Sequence, residues 1–345
     1  MAVTIKDIAK AAGVSHATVS RALHNHPAIS KETVAAIQAL AAEMGYIPSA
    51  AARSLKTHQS HALGVIVSNL DDPFWSEVLH SIDEVAHAGD YNLFIVTTHR
   101  DKQRETEVVQ AMVQRGVDGV IICAPQFSPK QSHLLMTYGL PMVIVNNEGS
   151  TDSPYLVYND DVNGIRLATR HLIGLGHREI AFLGNSVGGR TSVAREKGFR
   201  QEMRASGLAV NEAFIRKSQL ETLQAGFDET KALLSLEHLP TAIVCYNDAL
   251  AIGVYSAIHQ AGLRIPEDIS ITGFDDIAVA AYLYPPLTTV RQFKARLGAV
   301  ATTMMLNLLK PDSEPEANKE PQKVLLPCEL VVRASTRSTK PVPSV

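Results

Sequence analysis

Two successive series of short apolar runs, each run followed by a helical stretch, constrain this chain more than any other feature. Residues 63–67 (LGVIV), 91–96 (YNLFIV), 119–123 (GVIIC) and 141–145 (PMVIV) alternate with helical patterns such as 74–88 and 103–115. After Asp160 the pattern repeats, with 179–183 (EIAFL), 242–245 (AIVC) and 269–273 (ISITG). Runs this short and this apolar read as strands buried on both faces, and their alternation with helices is βαβ wiring. The expected fold is therefore two doubly wound α/β halves, each with a parallel sheet, which suits a chain of 345 residues with 46% hydrophobic content.

Open α/β sheets bind ligands outside the carboxyl ends of their strands, so two facing halves predict a cleft between them. Polar residues stand where that rule puts them. Asp72, Pro73, Phe74 and Trp75 follow the first run; Arg190, Thr191 and Arg195 follow 179–183; Asn247 and Asp248 follow 242–245; Asp275 and Asp276 follow 269–273. An aromatic floor with carboxylates, Asn and Arg suits a polar, polyhydroxylated small molecule, because paired acceptors match vicinal hydroxyls and a ring covers an apolar sugar face. The same residues also have structural readings: Asp72 and Asp276 as helix caps, Phe74 as core.

A different pattern precedes residue 61. Residues 1–60 hold six Lys or Arg against three Asp or Glu, a balance of +3, so with −3 overall the remainder carries −6. A small basic head on an acidic body points to an anionic partner at one end only. Thr4 with Asp7 three residues on marks a capped helix, Gly13-Val14 a turn, Ser15 the cap of a second helix, and Ser30 the cap of a third that stops at Gly45. On the second helix Val19, Ala22 and Leu23 face inward, while His16, Ala17, Ser20 and Arg21 face out. These spacings fit a helix-turn-helix, whose second helix enters a DNA major groove, and equally a small helical bundle with a solvated face. Residues 48–60 (PSAAARSLKTHQS) read as a linker in which Arg53 and Lys56 are placed for phosphates.

Several classes are excluded. The three cysteines, Cys123, Cys245 and Cys328, lie far apart without a CxxC, so neither a metal site nor a disulfide framework is expected. The chain carries no nucleophile–base signature, GxGxxG or HExxH, which argues against an enzyme, and no cofactor is expected. Charged Lys6, Asp7 and Lys10 stand where a signal peptide would be apolar, and the expectation is a cytoplasmic protein.

The run IKDIAKAAGVSHATVSRAL, then ISKETVAAIQALAAEMGYIPSAAARSL, resembles the DNA-binding head of the LacI/GalR family of bacterial transcription regulators. The resemblance implies a dimeric repressor on a pseudo-palindromic DNA operator, controlled by a small polar effector, a sugar or sugar derivative, bound between two lobes of the periplasmic-binding-protein type. It implies DNA contacts at Thr4, Ser15, Thr18, Ser20, Arg21 and Asn25, with His16 and Ala17 on the pair that distinguishes operators. It implies a hinge helix in which Ala52, Arg53 and Leu55 meet DNA, the leucine as a minor-groove wedge. Effector contacts are expected at Asp72, Phe74, Trp75, Cys123, Arg190, Arg195, Asn247, Asp248, Asp275 and Gln292. The chain departs from the family pattern at His24 and at Asn159-Asp160, where Asn and Asp-Asn are usual.

The expected domains are a head at 1–47, a hinge at 48–60, and an effector and dimerisation body at 61–338. Within the body, one lobe takes 61–159 and 291–320, the other 160–290 and 321–338, and 339–345 form a tail. That tail has no apolar repeat to extend a coiled coil, so a homodimer is expected. A solute-binding protein of the periplasmic type, without DNA function, is the alternative the body alone would allow.

Overall fold

The computed structural model describes residues 3–46, 59–124, 127–146, 153, 155–187, 189–310 and 322–339. The chain divides into two compact units, Met1–Ser60 and His61–Val345.

The first unit holds three helices, α1 (Ile5–Ala12), α2 (His16–Leu23) and α3 (Lys31–Glu43). Each begins where a side-chain oxygen takes up an otherwise unpaired backbone N–H. The Thr4 hydroxyl accepts from the Asp7 N–H while the Asp7 carboxylate accepts from the Thr4 N–H at 2.8 Å, a reciprocal capping box. Ser15 Oγ accepts from the Thr18 N–H at 3.1 Å, and Ser30 Oγ from that of Thr33 at 3.2 Å. Gly13 ends α1 at φ +66°, a left-handed turn that glycine adopts without steric cost. Ile8, Ala9, Val19, Ala22, Ile37 and Ala41 form the buried core where the helices meet. This is a helix-turn-helix unit with a core of its own.

The second unit contains two six-stranded sheets. The first has the order β11-β5-β4-β3-β1-β2, from β1 (Ala62–Val67), β2 (Asn92–Thr97), β3 (Gly119–Cys123), β4 (Met142–Val145), β5 (Tyr155–Asn159) and β11 (Gln322–Leu326). The second has the order β12-β10-β9-β8-β6-β7, from β6 (Ile180–Asn185), β7 (Ile215–Ser218), β8 (Ala242–Cys245), β9 (Ser270–Asp275), β10 (Thr288–Gln292) and β12 (Cys328–Val331). Helices α4 (Pro73–Ala88), α5 (Lys102–Arg115), α6 (Pro129–Thr137) and α11 (Lys294–Leu308) belong to the first lobe. The second holds α7 (Asp161–Gly174), α8 (Gly189–Ala205), α9 (Leu223–Leu234) and α10 (Asp248–Gln260). Each lobe has two apolar clusters of buried residues drawn from its strands and helices, as doubly wound sheets require. Among the described residues no helix is long and apolar enough to cross a membrane.

Three expectations need correction. Strands β5, β7 and β10 add to the runs read from sequence. The second sheet is not wholly parallel, since β12 runs antiparallel to β10. The stretch 321–338 does not belong wholly to the second lobe. Strand β11 lies parallel to β5 in the first sheet, and the chain crosses at Pro327 so that β12 closes the edge of the second. Pro cannot donate to a ladder, which places it between strands. The chain thus passes between lobes three times, after Asn159, after Gln292 and after Leu326.

Helices α9 and α10 approach backbone to backbone. A Cβ on Gly253 would overlap the Leu223 carbonyl oxygen, and one on Gly226 the Leu250 carbonyl oxygen, so only hydrogen fits at either position. Gly253→Ala is expected to destabilise this lobe by about 1–3 kcal/mol or more, because backbone cannot yield as a side chain would. Urea unfolding checks this, and an unchanged midpoint would contradict the close crossing.

Candidate functional site

In the head, capping uses up the hydroxyls that the helix starts need and leaves one face of α2 outward. His16, Ala17 and Arg21 are exposed, while Thr18 and Ser20 are partly buried. The N-terminal turn of α2, with its backbone N–H groups, and the exposed cation Arg21 together make a surface suited to phosphate and base edges. Thr4 and Ser15 sit at the starts of α1 and α2, their hydroxyls bonded to Asp7 and Thr18. Asn25 adopts φ +53° and its Oδ1 accepts from Gln38 of α3 at 3.0 Å, so it also fixes the turn between α2 and α3. His24, the departure from the family pattern, bonds the Ser20 carbonyl through Nδ1 at 2.7 Å. Ala52, Arg53 and Leu55 lie outside the described residues.

In the body, the strand ends of both lobes converge on a cavity of about 40 Å³, lined among others by Asp72, Phe74, Trp75, Arg195, Asn247, Asp275 and Gln292. Asp72 caps α4, its Oδ1 accepting from the Phe74 N–H at 2.9 Å, with Pro73 at the first helical position where its missing N–H costs nothing. The α4 start buries Phe74 and Trp75 edge to face, ring centroids 5.0 Å apart. Asn247 caps α10 through Oδ1, which accepts from the Leu250 N–H at 2.9 Å. The cap reading of Asp72 is therefore correct, and Asp72 and Asn247 both still line the cavity; Asp276 caps no helix, its carboxylate accepting instead from Arg291 at 2.7 Å and Arg333 at 2.6 Å.

Arg195 organises the centre. Its Nε donates to Asp161 at 2.8 Å, one terminal nitrogen donates to the Tyr246 carbonyl at 2.7 Å, and the same nitrogen lies 3.8 Å from Asp275. Its guanidinium lies over the rings of Phe274 and Tyr246, 3.9 and 4.4 Å from their centroids. Burial works against its charge, but Asp161, Tyr246 and Asp275 outweigh that and hold it protonated. Asp275 has φ +120°, an uncommon backbone for a side chain larger than glycine, and burial raises its carboxyl well above the usual range although Arg195 opposes this. Gln292 Nε2 donates to Asp275 at 2.5 Å, and Gln292 Oε1 accepts from Asn159 at 2.6 Å, whose amide also reaches Asn146 at 3.1 Å. A chain of hydrogen bonds thus ties the cavity to the first two crossovers between lobes.

Burial raises the Asp72 carboxyl from its ordinary 3.8 to about 6, with Glu221 adding to the rise and the Phe74 N–H, Arg100 and Arg195 opposing it. The folded state therefore holds the proton between about pH 4 and 6, and ionisation costs stability as pH rises through that window. Asn caps as well as Asp, so Asp72→Asn isolates the charge. Wild-type stability minus that of Asp72→Asn should fall from pH 4 to pH 7 in urea titrations; a difference independent of pH would show that Asp72 is solvated.

Three expected residues are not on this cavity. Cys123 is fully buried at the end of β3, and burial pushes its thiol up, leaving it an inert core residue. Asp248 is fully buried inside the second lobe, where it accepts from Thr289 Oγ1 at 2.6 Å and from the Ile277 N–H at 2.9 Å. Arg190, at the start of α8, lines a separate cavity of about 210 Å³ with Asn159, Asp160 and Asp161. Conversely Ser68, Arg100, Asn146, Glu221 and Tyr246 line the central cavity without having been expected there. Each follows a strand end, a signal open to sequence for Ser68, Arg100, Asn146 and Tyr246; Glu221 follows β7, whose IRKS sequence carries no apolar run. Among the described residues no group of His, Cys, Asp and Glu could hold a metal ion.

A helix-turn-helix unit in the same chain as a two-lobed α/β unit with a polar cleft defines a class, the DNA-binding regulators that answer to a small ligand. Residues 4–49 match the bacterial regulatory proteins of the lacI family, and residues 169–336 match a periplasmic binding protein-like domain. The HTH-type transcriptional repressor PurR of Histophilus somni is 33% identical over 336 residues, 97% of this chain and 99% of that protein. That of Pasteurella multocida is also 33% identical over 336 residues, with the same coverage. Among solved structures, the lac repressor dimer bound to operator and the anti-inducer ONPF aligns with TM-score 0.85 and 28% identity, covering 98% of this chain and all of that one. A LacI family transcriptional regulator from Enterococcus faecium with bound ribose aligns with TM-score 0.71 and 28% identity, covering 81% of this chain and all of that one. The chain belongs to the lacI family of bacterial regulatory proteins: it is a DNA-binding transcriptional repressor with an effector-binding domain, and not an enzyme. The lacI match over the head sets aside a solute-binding protein without DNA function.

Proposed function

We propose that the body binds a small polyhydroxylated effector, a sugar or sugar derivative, in the central cavity, and that a cytoplasmic homodimer presents two heads to a pseudo-palindromic operator. The observation that carries the effector reading is the convergence of Arg195, Asp275, Asn247 and Asp72 beside Phe74 and Trp75. Carboxylates accept from hydroxyl pairs, Arg and Asn donate to ring and hydroxyl oxygens, and an indole face covers the apolar side of a ring. The ribose-bound relative supports the same ligand class. In the head, His16 and Ala17 read base edges, Arg21, Thr18 and Ser20 hold the duplex, and Thr4, Ser15 and Asn25 brace the helix starts against phosphates. For Ala52, Arg53 and Leu55 the DNA-contact reading rests on the family resemblance. Effector binding and operator binding are linked, so DNA must change effector affinity by the same factor as effector changes DNA affinity.

The test is a thermal-shift screen of sugars, polyols, nucleosides and their phosphates on the full chain, since a ligand of the native state raises apparent stability by mass action. A sugar is expected to stabilise the wild type and to lose that effect in Asp275→Asn. A ligand that stabilises both alike would place the effector site elsewhere.

A further inference from the structure

In the described conformation the central cavity is smaller than a sugar needs. Its volume of about 40 Å³ holds about three waters at roughly 10–15 Å³ each, against roughly 300–1,000 Å³ for small-molecule sites. A second chamber of about 420 Å³ shares part of its wall and is lined also by Leu220, Leu223 and Pro73. Ser68, Asp72, Trp75, Arg100 and Glu221 line both spaces, and of these Arg100 and Glu221 bridge the two lobes. Arg100 follows β2 in the first lobe, Glu221 follows β7 in the second, and the guanidinium donates to the Glu221 carboxylate at 2.5 Å across the gap. Asn185, at the end of β6, also donates to Glu221 and so holds the carboxylate in place.

We infer that the Arg100–Glu221 pair is a latch that holds the lobes closed across the effector cleft, and that an effector joins the two chambers by opening it. Two observations carry this beyond an ordinary surface ion pair. The side chains are only 24% and 14% exposed, so water and salt screen them less than a fully solvated pair. His99 and Arg100 also adopt φ of +49° and +60°, two consecutive left-handed residues that are not glycine. Such backbone is uncommon for side chains larger than glycine and persists where neighbouring contacts hold it. Here the His99 N–H donates to the Ser68 carbonyl and the Asp101 N–H to the Thr98 carbonyl, both at 3.0 Å, and the ion pair across the cleft adds a further contact to the same turn.

The consequence for recognition rests on the effector reading: a ligand that opens the latch must give Arg100 an acceptor and Glu221 a donor, and it has room to extend toward Leu220 and Leu223. Arg100 and Glu221 are then specificity-determining residues, because a ligand lacking either group leaves a partly buried charge unpaired.

Closure can be measured without any ligand. Cys123, Cys245 and Cys328 are all buried, so spin labels can be directed to Glu107→Cys on α5 and Asp228→Cys on α9, both exposed, in the full chain. With the latch intact a single narrow distance distribution is expected by pulsed EPR. Arg100→Gln and Glu221→Gln should each lengthen the mean by more than about 2 Å or broaden the distribution, and the exchange Arg100→Glu with Glu221→Arg should narrow it again. Unchanged distributions in both single variants would overturn the latch, as would singles that shift while the exchange fails to restore closure. The ligand screen can fail while these distances stand, and the distances can fail while the effector site stands, so the two readings are separately exposed.

Discussion

Replacing Arg195 by Met should lower the stability of the body by about 3–5 kcal/mol and abolish the effector response, while the head keeps its fold. The large cost follows from what the guanidinium holds: Asp161 at 2.8 Å, the Tyr246 carbonyl at 2.7 Å and Asp275 at 3.8 Å, all buried. Without it two carboxylates face each other in a closed site, and either both stay charged and unpaired or one takes a proton. The head is spared because its core of Ile8, Val19, Ala22 and Ile37 draws on its own three helices alone. Trp75, the single tryptophan of the chain, lies in the cavity wall, so its fluorescence in urea reports unfolding of the body. A loss below about 1 kcal/mol would mean that the pairing is solvated and the centre is not organised by this residue. Arg195→Lys separates stability from recognition: it keeps a charge beside the carboxylates but cannot match the forked geometry, so it should keep more stability and still lose the response.

The second large effect belongs to the head. Arg21→Ala should weaken binding to a duplex selected from random DNA by about 10- to 100-fold, the 1–3 kcal/mol of a lost charged contact, with effector affinity unchanged. Arg21 is exposed on α2 and takes part in none of the head's buried packing, so the loss would not come from unfolding. The measurement is a titration at one fixed salt concentration, because phosphate contacts make every affinity salt-dependent. Equal affinity for wild type and variant would remove α2 from the groove.

The parts of the fold open to sequence are those that local chemistry decides. Thr4, Ser15 and Ser30 stand where helices start because a hydroxyl there accepts a backbone N–H two or three residues on, and all three caps form. The central strands β1, β3, β4 and β8 read as apolar runs because helices cover both their faces. Edge strand β7 does not: Ile215–Ser218 is polar at three of its four positions and needs only one neighbour. Strand β5, whose apolar run Tyr155–Tyr158 is only four residues long before Asn159 and the α7 cap Asp160, also passes unread. Of the expected effector residues, Asp72, Phe74, Trp75, Arg195, Asn247, Asp275 and Gln292 converge, because the strand-end rule is a rule about topology. Asp248 and Cys123 show its limit: Asp248 is the first residue of α10 and turns into the core of the second lobe, and Cys123 is the last residue of β3 and stays inside the first.

By itself the sequence determined that this is a basic three-helix head on an acidic α/β body of two lobes, since charge balance, caps and apolar periodicity act over a few residues at a time. Only the tertiary structure decided which residues share a wall. Arg100 and Glu221 stand 121 positions apart, and β11 and β12, separated by Pro327 alone, enter different sheets. Ion pairing and strand pairing depend on distance in space, and no local pattern encodes which distant partner will arrive.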